Sequence, residues 1–284
     1  MSPPWFEPHH PGPDLAPALA CGWVAWPSGR HRLVPDACLD LLCVFDATGA
    51  GDPSATWSGR LLLCGPERRA WTFELPAGTR AVGVRFRPGW ASLLFDLDVS
   101  QLVDRRIDLE RVVGGAEAGR LLGELGDPGS LLERARRLEQ AMLPLVATVD
   151  PGARAFVDDA IEQLVCSPRL SQQQLAARFG ITPRQLHRRL QRTFGHGAAV
   201  LGRQLRFQRF LAVHELDVAG GRHRASIARL ATDAGYADQA HLSRDCRAIT
   251  GLTVRRFLDE WFPTFPDMSD PFKTSEPFVG TMGA

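Results

Sequence analysis

The chain has 284 residues, is 44% hydrophobic and 23% charged, and carries a formal net charge of +1. That length suits two domains, each large enough to bury a core, and the composition is that of a globular protein rather than a disordered or fibrous one. The near-neutral total selects no partner, and no run of ~18 apolar residues is present to span a membrane.

The distribution of charge is more informative than its sum. Residues 1–153 hold 15 Arg against 19 Asp and Glu, while residues 154–262 hold 17 Arg against 10. A basic half is therefore concealed in a neutral chain, as expected if only that half meets phosphates. The six cysteines, Cys21, Cys38, Cys43, Cys64, Cys166 and Cys246, form no C-x-x-C pair, and no histidine pair sits at zinc-finger spacing. They read as reduced residues of a cytosolic protein, with no metal and no cofactor expected. The opening MSPPWFEPHHPGPD lacks the basic region and apolar core of a signal peptide, so a cytoplasmic location is expected.

Residues 1–17 are Pro-rich and read as an irregular arm. From residue 18 the pattern turns β-like. Cys21 to Trp26, Arg32 to Pro35, Cys38 to Phe45, Leu61 to Cys64, Arg69 to Glu74 and Arg80 to Arg87 read as strands between Gly- and Pro-rich turns. Thr48 to Ser54 has turn composition, and Trp90 to Phe95 reads as a short helix. The strands imply a small antiparallel barrel or sandwich. Asp36 and Asp40, with His31 near in sequence, are the one candidate carboxylate pair. Asp36 reads more simply as a turn residue after Pro35, and Asp40 as an outward residue or the partner of Arg85 or Arg87. A small ligand in the barrel mouth and a role in dimerisation both stay open. Leu131 to Leu145 reads as one helix whose apolar stripe packs either on its own barrel or on a second copy. The regulatory domain is thus expected over 18–146, with a linker at 147–153.

Residues 154–262 read as all-α, and residues 263–284 as a disordered tail. Phe156 to Val165 is the opening helix and Thr253 to Trp261 the closing one. Leu175 to Gly195 (LAARFGITPRQLHRRLQRTFG) reads as helix, tight turn, helix, with Thr182 as N-cap and Pro183 at the first helical position. Leu186, Leu190 and Phe194 face in; Arg184, His187, Arg188 and Gln191 face out. Gly235 to Gly251 (GYADQAHLSRDCRAITG) is built alike, with Leu242, Cys246 and Ile249 inward and Gln239, Ser243, Arg244 and Arg247 outward. Leu175 and Leu230 stand 55 apart, as do Gly180 and Gly235, so the unit is repeated. Gly197 to Glu215 is a long apolar-faced helix between the two, followed by a basic loop at Val218 to Arg224.

These paired motifs resemble the DNA-binding domain of the AraC family of transcription regulators. There the second motif typically reads G-F-x-D-x-S-H-F-x-R-x-F-R and then G-x-x-P. Here Val254 stands for the usual proline, Gly197-Ala198 for Ser-Pro, and Leu242 and Cys246 for aromatics. Pro35-Asp36…Asp40-Leu41 and Phe86-Arg87-Pro88-Gly89 resemble elements of the N-terminal domain of unknown function in one AraC subgroup. The resemblance implies an α+β chain with a C-terminal double helix-turn-helix that binds double-stranded DNA. Arg184, His187, Arg188, Gln239, Ala240, Ser243 and Arg244 would contact base edges or the adjacent backbone. Gln191 belongs to the same face, and Arg192 and Arg247 would hold phosphates. RNA polymerase, a small-molecule effector and a second copy of the chain remain open as partners. Two other classes are kept beside this one: a DNA-binding half fused to an enzymatic or repair domain, and a non-specific architectural DNA binder.

Overall fold

A computed structural model describes residues 6–26, 29–45, 60–75, 78–126, 130–167, 170–220 and 226–261. The turn expected at Thr48 to Ser54, most of the basic loop and the tail lie outside them. Strands β1 (Phe6–His9), β2 (Leu19–Ala25), β4 (Leu39–Phe45), β5 (Arg60–Cys64), β7 (Arg80–Phe86) and β8 (Arg106–Asp108) form one antiparallel sheet in the order β1-β2-β7-β4-β5-β8. Strands β3 (Gly29–Leu33) and β6 (Trp71–Leu75) form a separate two-stranded ribbon.

Alternation builds the core. Leu39, Leu41 and Cys43 on β4 and Val82, Val84 and Phe86 on β7 face the same side and are buried. Helices α3 (Gly115–Glu124) and α4 (Leu131–Gln140) cover that side with Leu121, Ala135 and Leu138. Each buried Leu or Phe there stabilises by about 1.5–3 kcal/mol. The stripe at Leu131 to Leu145 therefore packs mainly on its own sheet. It is also broken: α5 (Leu143–Ala147) starts anew because Pro144 cannot donate to the preceding turn.

The opposite side carries Cys21, Trp23, Leu42 and Val44, with a charged cluster at one end. Arg85 donates to Asp40 through Nε (3.1 Å) and Nη2 (3.0 Å), and its Nη1 meets Asp36 at 3.1 Å. Trp23 Nε1 donates to Asp40 Oδ1 at 3.0 Å. The two aspartates are thus partners of Arg85, and Asp36 also caps the turn by accepting from the Cys38 amide. Burial pushes the Asp36 carboxyl up. The indole of Trp23 lies across Gly83, where any Cβ would stand 2.4 Å from the ring.

Two expectations of domain organisation change. Residues 6–9 were expected in an irregular arm but form the edge strand β1, with Pro8 inside it; an edge position is where a missing N–H is tolerated. Glu139 pins the following turn, accepting from Gly12 N at 2.8 Å and meeting His9 Nε2 at 3.1 Å. The linker expected at 147–153 is shorter, because Asp150 caps a helix that begins at Pro151, α6 (Pro151–Cys166). No helix of the described residues is long and apolar enough to cross a membrane.

The halves pack as one body. Gly89, at the turn into α1 (Trp90–Leu94), touches Phe194 and Val157. Two buried glutamines of the long helix α9 (Ala198–Ala219) donate to N-terminal carbonyls, Gln204 to Glu67 at 2.7 Å and Gln208 to Pro35 at 2.8 Å. The ribbon meets the far end, with Ala70 N donating to Ile249 O at 2.7 Å and Arg32 pairing with Glu260 at 3.1 Å.

Candidate nucleic-acid interface

Two helix-turn-helix units flank α9. The first is α7 (Gln172–Arg178) and α8 (Pro183–Phe194), and the second is α10 (Ile227–Asp233) and α11 (Gln239–Thr250), followed by α12 (Val254–Trp261). The turns place Gly180 at φ 63 and Gly235 at φ 86, a region that side chains strain to enter. Thr182 accepts from the Gln185 amide at 3.2 Å while Gln185 accepts from Thr182 N at 2.9 Å, so α8 opens with a capping box. Asp238 accepts from the His241 amide at 2.6 Å and opens α11. Gly195 and Gly251 close the two helices in the left-handed conformation.

Leu186, Leu190 and Phe194 of α8 and Leu242, Cys246 and Ile249 of α11 are buried. The sides opposite carry the ten residues singled out from the sequence. Arg184, His187, Arg188, Arg192, Gln239, Ala240, Arg244 and Arg247 are exposed, and Gln191 and Ser243 are half-buried. They form two separate polar faces, one per helix. Two carry local contacts: the His187 ring lies against Gly197, and Arg192 pairs with Asp96 of the N-terminal half at 3.2 Å.

Two features escaped the sequence reading. Asp245 is buried on α11, where it meets Arg203 at 3.2 Å, Arg206 at 3.4 Å and His241 at 3.7 Å. It ties the second helix to α9. A carboxylate within an apolar stripe, facing arginines three apart on the neighbouring helix, was the signal available. The other is Arg189, whose guanidinium stacks over Phe156 at 3.6 Å and whose pKa is lowered by burial.

The thiols bear on the repair alternative. Burial pushes Cys21, Cys43 and Cys64 up to about 12 and raises Cys38 and Cys246. A nucleophilic cysteine is favoured by the opposite shift.

Residues 175–260 match the family described as a helix-turn-helix domain, and residues 7–108 match a domain of unknown function (DUF6597). Solved structures similar to the chain include ToxT from Vibrio cholerae, at 11% identity over 89% of this chain and 98% of that one, with a TM-score of 0.39. An apo variant of ToxT from the same organism gives 11% identity over 84% and 97%, with a TM-score of 0.41. ToxT with a bound unsaturated fatty acid gives 11% over 84% and 94%, with a TM-score of 0.39. Among curated proteins none matches. The protein is a helix-turn-helix DNA-binding transcription regulator whose N-terminal half carries a domain of unknown function. Its helix-turn-helix domain is of the AraC type.

Proposed function

We propose that α8 and α11 enter successive major grooves on one side of the duplex. Arg184, His187, Arg188 and Gln191 read from the first helix, and Gln239, Ala240, Ser243 and Arg244 from the second. Arg192 and Arg247 hold phosphates, which fixes position without reading sequence. The observation that carries this is the uninterrupted α9 of 22 residues between the two units. At ~1.5 Å per residue it spans about 33 Å, close to the ~34 Å of one DNA turn. The N-terminal domain then sets activity, through a small-molecule effector, a second copy of the chain or contact with RNA polymerase, in a protein acting in the cytoplasm. Residues 6–147 form that regulatory unit and 151–261 the DNA-binding unit.

Selection of binding sites from random duplexes with the full chain tests this reading. A preferred sequence bound ~10³-fold or more above random duplex is the expected result. Equal affinity for every duplex is the outcome expected of an architectural binder and would overturn it.

A further inference from the structure

We propose that Asp96 and Asp98, in the N-terminal half, set the DNA affinity of the first reading helix by competing with phosphate for its arginines. The proposal rests on the reading that the outward side of α8 meets DNA. A cleft of about 530 Å³ runs along that side of α8. One wall is Arg188, Arg189, Gln191 and Arg192; the other is Asp98 and Ser100. Asp98 is the N-cap of a 3-10 turn (Val99–Gln101), accepting from Ser100 N at 3.1 Å and from its hydroxyl at 2.6 Å, so its carboxylate is fixed in place. Asp96 sits just before it at φ 46, an uncommon conformation for a residue with a side chain. There its carboxylate meets Arg192 at 3.2 Å.

The consequence is electrostatic. A DNA strand flanking α8 brings phosphates to the guanidiniums of Arg188 and Arg192. The same approach brings them toward two carboxylates well inside the ~10 Å screening length of 0.1 M salt. Arg192 must leave Asp96 to neutralise a phosphate. The docked N-terminal half therefore weakens binding by the first helix, and any event that draws the 96–100 segment away strengthens it. Both Asp96 and Arg192 are largely exposed, so the contact is weak enough to exchange and suits a modulator rather than a lock.

The test is a cycle of full-length proteins: unmodified chain, Asp96→Asn, Arg192→Gln and both together. Asparagine tolerates the left-handed backbone, so the fold is kept. Affinity is measured over a salt series, on the selected duplex and on a random one. Asp96→Asn is expected to tighten binding about 2–5-fold near 0.1 M salt. It should also steepen the log–log salt slope by about 0.9, the signature of one further phosphate contact. With Arg192→Gln present, most of that gain should vanish. No gain, or the same gain with and without Arg192, would overturn the proposal. Arg188→Ala separates the two readings. If it leaves affinity unchanged, α8 does not meet DNA and the underlying function fails. If it weakens binding while Asp96→Asn does nothing, only the acidic wall is wrong.

Discussion

Arg244 and Asp245 are neighbours on α11 that face opposite ways, one to solvent and one to α9. Arg244 is exposed and Asp245 is buried against Arg203 and Arg206. Arg244→Ala should cost about 1–3 kcal/mol on the preferred duplex and relax its sequence preference, with thermal stability unchanged. Asp245→Asn should instead lower stability by about 1–3 kcal/mol, because it leaves the half-buried Arg206 without its charge partner. Thermal melting and duplex titration of both variants check the division. His196 adds a pH dependence. It is buried at the corner between α8 and α9, and burial lowers its pKa from the usual value. The unfolded chain therefore takes up its proton first as pH falls below ~6.5, and stability present above that pH is lost as the pH drops further. Between pH 7.5 and 5 the urea midpoint of the unmodified chain should fall relative to that of His196→Gln, a comparison in which Glu67, pushed up to about 7 by burial and acting in the opposite sense, is common to both. At this scale the outward residues of α8 and α11 were legible, because helical spacing alone separates them from the apolar stripe. Asp245, Asp96 and Asp98 were not, since their roles depend on which arginines the fold brings beside them.

The helix starts and turns were written into the chain almost residue by residue. Thr182-Pro183 with Gln185, and Asp238 with the glycine before it, name their helix ends through hydrogen-bonding chemistry that is local in sequence. Thr182→Ala should cost about 1 kcal/mol of stability, within a range of about 0.5–2, while Thr182→Ser should be nearly silent. Gly235 is a sharper case. Nothing lies within 4 Å of a Cβ built there, yet its φ is +86. Gly235→Ala should therefore cost about 1–2 kcal/mol through backbone strain alone. A loss near zero would mean that the turn relaxes. The β-strands were legible from apolar alternation and turn residues. What the sequence hid was β1, where Pro8 looked like a strand breaker, the short β8, which lies among residues of helical spacing, and the break at Pro144, which the apolar spacing on either side ran across.

The whole molecule departs most from a string of independent domains. A basic half and an acidic half were visible in the charge count, but their packing was not, because backbone carbonyls at Pro35 and Glu67 leave no mark in a sequence. Gln204 and Gln208 hold those carbonyls on the helix that spaces α8 and α11. The Phe86-Arg87-Pro88-Gly89 element acquires a physical reason here: Arg87 binds the Ala16 carbonyl at 2.8 Å and Gly89 lets the turn press on Phe194. The N-terminal half is therefore in direct contact with the helix that spaces α8 and α11.

Footprinting of the full chain on its selected duplex tests the central claim most directly. Protection is expected in two adjacent major grooves on one side of the duplex, centred about 10–10.5 bp apart. The protected site should be asymmetric, because Arg184, His187 and Arg188 on one face and Gln239, Ser243 and Arg244 on the other cannot favour the same bases. Arg188→Ala should erase protection in one groove and Arg244→Ala in the other. A palindromic site with one groove protected per half-site, or protection of a single groove that only one of the two substitutions affects, would contradict it.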